Sequence, residues 1–303
     1  MLFDAKLFAD DRTIAIKVIR AQAMGMCFGV KDALSTVMTM DYPERATVYG
    51  QLVHNGEVLK AVRARGFSML EESERTPAVS TPNVVITAHG LSDKERRMLE
   101  ASGKTLIDTT CPLVSRVHQI ARGLQDQGYF VIVVGRRDHV EVKGIVGDLE
   151  RFAVVERPED VLMYPADRIG VVCQTTTPPA LRDFLFEIIS RKNAGKEIRF
   201  IDTICGPTRE RQEAVEDLLP RVQALVVVGG KNSNNTRQLQ ALGEKAGLPC
   251  FRVERASELR PEWFYGFDTV GLTAGTSTLD QTIDEVYTAL VEMDVRCDAT
   301  IRK

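Results

Sequence analysis

One stretch constrains this chain more than any other, Thr105 to His118. Its front half, Leu106 to Thr109, predicts the end of a buried strand. Pro112 suits the first turn of a helix, where a missing N–H costs nothing. Leu113, Val117, Ile120 and Leu124 then fall on one apolar helical face. Gly128 closes that helix, and Tyr129 to Val134 predicts a second strand. Cys111 therefore belongs at the junction where a strand ends and a helix begins. The unpaired amides of a helix N-terminus favour a thiolate at such a point.

The same pattern is written twice more. Phe200 to Pro207 brings Cys205 to the equivalent point, ahead of a helical run and the strand Ala224 to Gly229. A looser copy comes first: Val18 to Ala21, then Cys27, a helix through Leu34 and Met38, and Thr47 to Gly50. Cysteines at one structural point, recurring at intervals of about 90 residues, mean a threefold repeat. Length alone, 303 residues, suggests about two domains. The repeat argues instead for three small α/β units sharing one centre. Their expected limits are 28–111, 112–204 and 205–296, with 18–27 packing against the third. Residues 1–17 are expected to be an extension with some helix and no chemistry.

Each unit carries further apolar strands with polar tips. Tyr49 to Asn55, Val134 to Glu141 and Val228 to Asn235 form one set. Val84 to Gly90, Ile169 to Thr177 and Val270 to Ser277 form another. Apolar runs alternating with helices predict mainly parallel sheets with covered faces. Ligands bind beyond the carboxyl ends of such strands, so the tips are expected to surround a central cavity.

Charge and composition remove several classes of function. A net charge of −3 offers no basic field for nucleic acid or anionic lipid. No apolar run approaches the roughly 20 residues that span a bilayer. Asp4, Asp10 and Asp11 spoil any likeness to a secretory signal, and a reducing cytoplasmic home is expected. In that setting six cysteines point to metal or catalytic use rather than disulfides. Cys173, Cys250 and Cys297 lack repeat-related positions and read as ordinary thiols.

The tips collect Cys27, Cys111 and Cys205 with His54, His89, His139, Glu141, Thr175, Thr176, Ser233, Asn235 and Ser277. Three of the four histidines sit at tips; the fourth, His118, lies on the helix after Cys111. Three thiolates from three units describe a metal site built by the whole assembly. An Fe–S cluster held by three of its usual four cysteines leaves one iron open for substrate. A Cys₃His zinc is the alternative, but zinc ligands come in close pairs such as C-x₂-C, which this chain lacks. Ser233, Asn235, Ser277, His54 and His89 are neutral or weakly basic donors suited to phosphate oxygens. Glu141 is the one carboxylate among the recurring tips, and enclosure would raise its pKa toward that of a proton carrier.

These motifs, taken in order, resemble the LytB/IspH family of 4-hydroxy-3-methylbut-2-enyl diphosphate reductases. The likeness runs from about Ile16 to Met293. It rests on Cys27 to Val30, Val53 to Asn55, Ala88 to Ser92, Asp108 to Val114 and His139 to Val142. Gln174 to Thr176, Asp202 to Cys205, Arg211 to Ala214, Asn232 to Asn235 and Thr273 to Ser277 complete it. The resemblance implies a trefoil of three pseudo-threefold-related α/β domains, with mainly parallel sheets around a central cavity. It implies a [4Fe–4S] cluster on Cys27, Cys111 and Cys205 with one open iron. His54, His89, Ser233, Asn234, Asn235 and Ser277 would hold the diphosphate. Glu141 would deliver protons, with His139, Thr175 and Thr176 placing the substrate hydroxyl and water. The implied reaction removes an allylic hydroxyl with two electrons and two protons, and the implied electron donor is flavodoxin or ferredoxin. A paralogue with the same cluster and another substrate, or a non-catalytic metal or redox sensor, are the rival readings.

The chain departs from the family pattern in places. Residues 138–145 run Asp-His-Val-Glu-Val-Lys-Gly-Ile, where Gly-His-Pro-Glu-Val-x-Gly-Thr is usual. Asn234 replaces a serine, Thr276 replaces a small residue, and Met24 and Met26 precede Cys27. Proton delivery and substrate identity are the properties these changes touch.

Overall fold

A computed structural model describes residues 13–296. Its secondary structure follows from alternating apolar strands and amphipathic helices. β1 (Thr13–Ala15) and β2 (Lys17–Arg20) open the chain, and α1 (Phe28–Thr39) follows Cys27. Next come β3 (Ala46–Val48), α2 (Gly56–Ala64), β4 (Ser68–Met69), β5 (Asn83–Ile86), α3 (Asp93–Ala101) and β6 (Thr105–Asp108). The second run is α4 (Pro112–Asp126), β7 (Phe130–Val134), α5 (Val140–Val146), β8 (Phe152–Val155), β9 (Arg168–Cys173), α6 (Pro179–Lys192) and β10 (Glu197–Phe200). The third is α7 (Gly206–Leu218), β11 (Ala224–Val228), α8 (Asn234–Lys245), β12 (Cys250–Val253), β13 (Thr269–Ala274), α9 (Asp280–Val291) and β14 (Asp294–Arg296).

Three four-stranded sheets result, in the orders β4-β3-β5-β6, β8-β7-β9-β10 and β12-β11-β13-β2. All their pairings are parallel. The order is the same in each. In the third sheet, however, the last place is filled by β2 from the start of the chain. The strand in that place is always the one that leads into a repeat cysteine: β6 into Cys111, β10 into Cys205, β2 into Cys27.

Parallel sheets need both faces covered, and the strands show it residue by residue. In β7, Val131 and Val133 enter one core and Ile132 and Val134 the other. In β11, Ala224, Val226 and Val228 face one core while Leu225 and Val227 face the opposite one. Burying each valine, leucine or isoleucine among them contributes roughly 1.5–3 kcal/mol.

The chain forms two compact bodies. One is Met26–Arg209 and contains the first two sheets. The other takes, of the described residues, 13–25 and 210–296, and contains the third. Within the first body, the Asp148 carboxylate accepts hydrogen bonds from Asp93 N (2.7 Å) and Lys94 N (3.0 Å). It thereby caps α3, a helix of the first sheet, from the end of the second sheet's α5.

Residues 13–15 are the first described part of the expected N-terminal extension. They form β1, antiparallel to β14, because two short segments near the chain ends satisfy each other's backbone groups. Residues 1–12 and Cys297 lie outside the described residues. Cys173 is fully buried in a core, and Cys250 is half-buried.

Candidate active site

Each repeat cysteine stands immediately before a helix, and its carbonyl accepts that helix's first bonds. Lys31 N donates to Cys27 O (2.9 Å), Val114 and Ser115 N to Cys111 O (2.9 and 3.0 Å), and Arg209 N to Cys205 O (3.3 Å). The cysteine amides are tied as well. Cys111 N donates to Ala88 O (3.1 Å) beyond β5, and Cys205 N to Thr175 O (3.0 Å) beyond β9.

The residue two positions earlier completes each anchor. Thr109 Oγ1 donates to Ile86 O (2.5 Å) and Thr203 Oγ1 to Cys173 O (2.6 Å), both buried. Asp108 Oδ1 and Asp202 Oδ1 accept backbone N–H groups two residues on, at 2.9 and 3.1 Å, making the turn. The two Asp-Thr-x-Cys copies in the sequence are thus a fastening device. Neither threonine stood out from sequence reasoning, although their repetition was visible.

All three cysteines belong to one compact body, and the Cys27 charge acts on the other two. Cys27 raises the pKa of both Cys111 and Cys205, and Glu141 does the same. Burial is the larger cause in each case, and it pushes Cys205 up to about 11. Cys111 receives the Leu113 and Val114 backbone N–H groups, as a helix start provides. Removal from water nevertheless outweighs those amides, which corrects the expectation of a preformed thiolate. Such thiols ionise when a metal takes the proton's place.

Among the described residues, the donor atoms of His54, His89 and His139 lie within 4.8 Å of one another.

The three imidazoles form a cluster of their own. His54 stacks on His89 with centroids 4.3 Å apart, and His139 meets both edge-on at 5.1 and 5.5 Å. His54 Nδ1 lies 3.0 Å from Gln51 Oε1. His139 Nδ1 accepts the Glu141 N–H at 3.1 Å, which assigns the ring proton to Nε2. Burial keeps all three neutral: His54 falls to about 4, His139 to about 3, and His89 well below its usual value. The Arg136 charge contributes at His54 and His139. His89 Nε2 is buried without a hydrogen-bond partner. An anion brought here would supply that partner and favour protonation.

Glu141 is 2% exposed. Its Oε1 accepts Thr175 N–H at 2.7 Å and its Oε2 accepts the Thr175 hydroxyl at 3.0 Å. Burial raises its pKa to about 7 despite the bonds from Thr175 and Gln174. A carboxyl poised near neutrality and fixed through both oxygens suits proton transfer. Thr176 follows on the same tip.

The second compact body holds the other polar set. Ser233 caps α8, accepting Thr236 N–H at 3.2 Å. Asn235, 1% exposed, accepts Thr276 N–H on Oδ1 at 3.0 Å and so joins α8 to the tip after β13. Its Nδ2 is buried and unpartnered, a donor beside a helix N-terminus. Asn234 and Ser277 are buried at the same two segments. The six expected diphosphate ligands are thus divided, with His54 and His89 in one body and the remaining four in the other.

Comparison with known families decides what this arrangement belongs to. The family described as LytB protein matches residues 18–291. This chain belongs to the LytB family. The 4-hydroxy-3-methylbut-2-enyl diphosphate reductase of Aquifex aeolicus (strain VF5) is 34% identical over 286 residues, covering 92% of this chain and 97% of its own. The solved E-1-hydroxy-2-methyl-but-2-enyl-4-diphosphate reductase from Plasmodium falciparum matches with a TM-score of 0.83 at 25% identity, covering 91% of this chain and 87% of its own. A solved (E)-4-hydroxy-3-methyl-but-2-enyl diphosphate reductase, described as the terminal enzyme of the non-mevalonate pathway, matches with a TM-score of 0.65 at 33% identity. It covers 92% of this chain and 100% of its own.

The 138–145 loop is the segment expected to depart from the family pattern. Val140 occupies the first position of α5, where proline would merely have fixed φ. The His139 ring caps the helix in any case, and Ile145 is buried in the core. Glu141 keeps its place. Among the described residues no helix is long and apolar enough to cross a membrane.

Proposed function

We propose that this chain is an iron–sulfur reductase that removes the allylic hydroxyl of 4-hydroxy-3-methylbut-2-enyl diphosphate, giving isopentenyl and dimethylallyl diphosphates. The observation that carries the reading is Glu141, buried and doubly bonded to Thr175 in the body that also holds three helix-start thiols. Cys27, Cys111 and Cys205 hold a [4Fe–4S] cluster. When bound, that group supplies electrons and an open Lewis-acidic iron.

The chain's own residues do the rest. His54, His89, Ser233, Asn234, Asn235 and Ser277 bind the diphosphate. Thr175 fixes the Glu141 carboxyl, and Thr176 with the Nε2–H of His139 orients the substrate hydroxyl. Two protons are required: one leaves with the hydroxyl as water, and one joins the allyl carbon along with the electron pair. Glu141, protonated at and below neutrality, is their carrier. A flavodoxin or ferredoxin supplies the two electrons.

Anaerobically prepared protein with a strong reductant should convert the substrate to both five-carbon diphosphates. An intact cluster without product at high enzyme concentration would overturn the reading. A paralogue acting on another substrate is disfavoured because the altered loop leaves Glu141 and His139 bonded as described. Rescue of a strain lacking the reductase would exclude it.

A further inference from the structure

His118 has no role in the reaction as described, yet its surroundings are those of the site. It lies on α4, two turns beyond Cys111, and is 7% exposed. Its ring occupies a fork between two glycines. A Cβ on Gly90 would lie 3.3 Å from His118 Nε2, and one on Gly144 would lie 3.2 Å from Cε1. Gly90 directly follows His89 and turns the chain with φ +78°. Gly144 stands on α5, three residues after Glu141. The two glycine segments also approach each other, since the Gly144 Cβ position is 3.8 Å from the Gly90 carbonyl carbon.

One side chain thus touches the segments that carry a cluster thiol, a diphosphate imidazole and the proton carrier. Packing alone does not call for a histidine there. Its Nε2 is buried with no hydrogen-bond partner, a cost that a leucine or phenylalanine of similar volume would avoid. Side chains at residues 90 and 144 would close the fork, and both are absent.

We propose that His118 is a positioning residue: wedged against Gly90 and Gly144, its imidazole sets the His89 turn and the Glu141 helix relative to the helix that starts at Cys111. The proposal rests on the reductase reading, because Glu141 and His89 matter only for that chemistry. Its placement claim stands without activity.

The test compares H118A, which empties the fork, with H118F, which refills it. The chain has four histidines, so ¹⁵N-histidine labelling of the apoprotein gives a sparse set of ring signals. In H118A the His89 and His139 signals should shift. In the loaded enzyme its kcat should fall roughly 10- to 100-fold. KM should change much less, the alkaline limb of the kcat profile should move, and iron per chain should match the wild type. H118F should recover most of kcat. Unchanged ring signals, limb and kcat in both variants would overturn the proposal. So would equal loss of kcat in both variants accompanied by lost iron and a lower Tm, the mark of a purely structural residue. If the wild type itself fails to turn over 4-hydroxy-3-methylbut-2-enyl diphosphate, the reductase reading fails, and the ring signals still decide the placement.

Discussion

Gly29 and Cys111 meet where two helices begin: a methyl group on Gly29 would lie 2.4 Å from Cys111 Sγ. Gly29 is in the first turn of α1, two residues after Cys27. The absence of a side chain there lets the segments bearing two of the three thiols approach. Gly29→Ala must therefore displace Cys111. Iron and sulfide per chain after anaerobic reconstitution should fall by half or more, at a cost in apoprotein stability of about 1–3 kcal/mol. Full iron content in the variant would show that the contact does not govern the site.

Glu141→Gln keeps the shape and hydrogen-bonding capacity of the side chain but removes its transferable proton. Turnover should drop roughly 10²- to 10⁴-fold while cluster absorbance stays at the wild-type level. Thr175→Val should give a smaller loss, because Glu141 Oε1 keeps its backbone partner. Steady-state rates with a chemical reductant rank the two variants, and the reverse ranking would contradict the assignment.

The raised pKa of Glu141 has a consequence for folding. Its folded value of about 7 exceeds the ordinary 4.5, so the native state binds the proton more tightly than the unfolded chain. The stabilisation is complete below pH 4.5 and is lost as the pH climbs through 7. The amount is on the order of 3 kcal/mol. Urea titrations of wild-type and Glu141→Gln apoprotein at pH 5 and pH 8 should show the variant relatively more stable at the higher pH. Parallel curves would count against the burial argument.

Cys205 in the apoprotein should resist alkylation. Burial holds its thiol near pKa 11, so its reaction with iodoacetamide should still be rising above pH 9. An ordinary exposed cysteine levels off soon after its pKa of about 8.5. Peptide mapping across a pH series reads this directly. A plateau for Cys205 near pH 9 would restore the preformed thiolate.

Asn235→Ala removes the acceptor that holds Thr276 N–H and the buried donor beside it. Substrate KM should rise roughly 10-fold or more, and kcat should change less. Iron content should be unaffected, because Cys27, Cys111 and Cys205 belong to the other compact body.

Much of this architecture was legible in the chain because its signals are local. The spacing of Leu113, Val117, Ile120 and Leu124 predicts α4, and Gly128 with φ +85° ends it as expected. Apolar runs such as Tyr129 to Val134 predict strands covered on both faces, and Val131 and Ile132 do enter opposite cores. Other features join residues distant in sequence and carry no periodic signature. β1 pairs with β14 across nearly the whole chain, and Thr109 reaches back to Ile86. The contact of Gly29 with Cys111 and the wedge of His118 against Gly144 are of the same kind.

The order of residues by itself determined where each repeat cysteine falls in its unit, since strand and helix periodicity are properties of neighbouring positions. It also determined which polar groups stand at strand tips. Only the tertiary structure decided their ionisation: burial, a collective property of everything packed around a group, overrides the helix amides at Cys111 and lifts Glu141 to about 7.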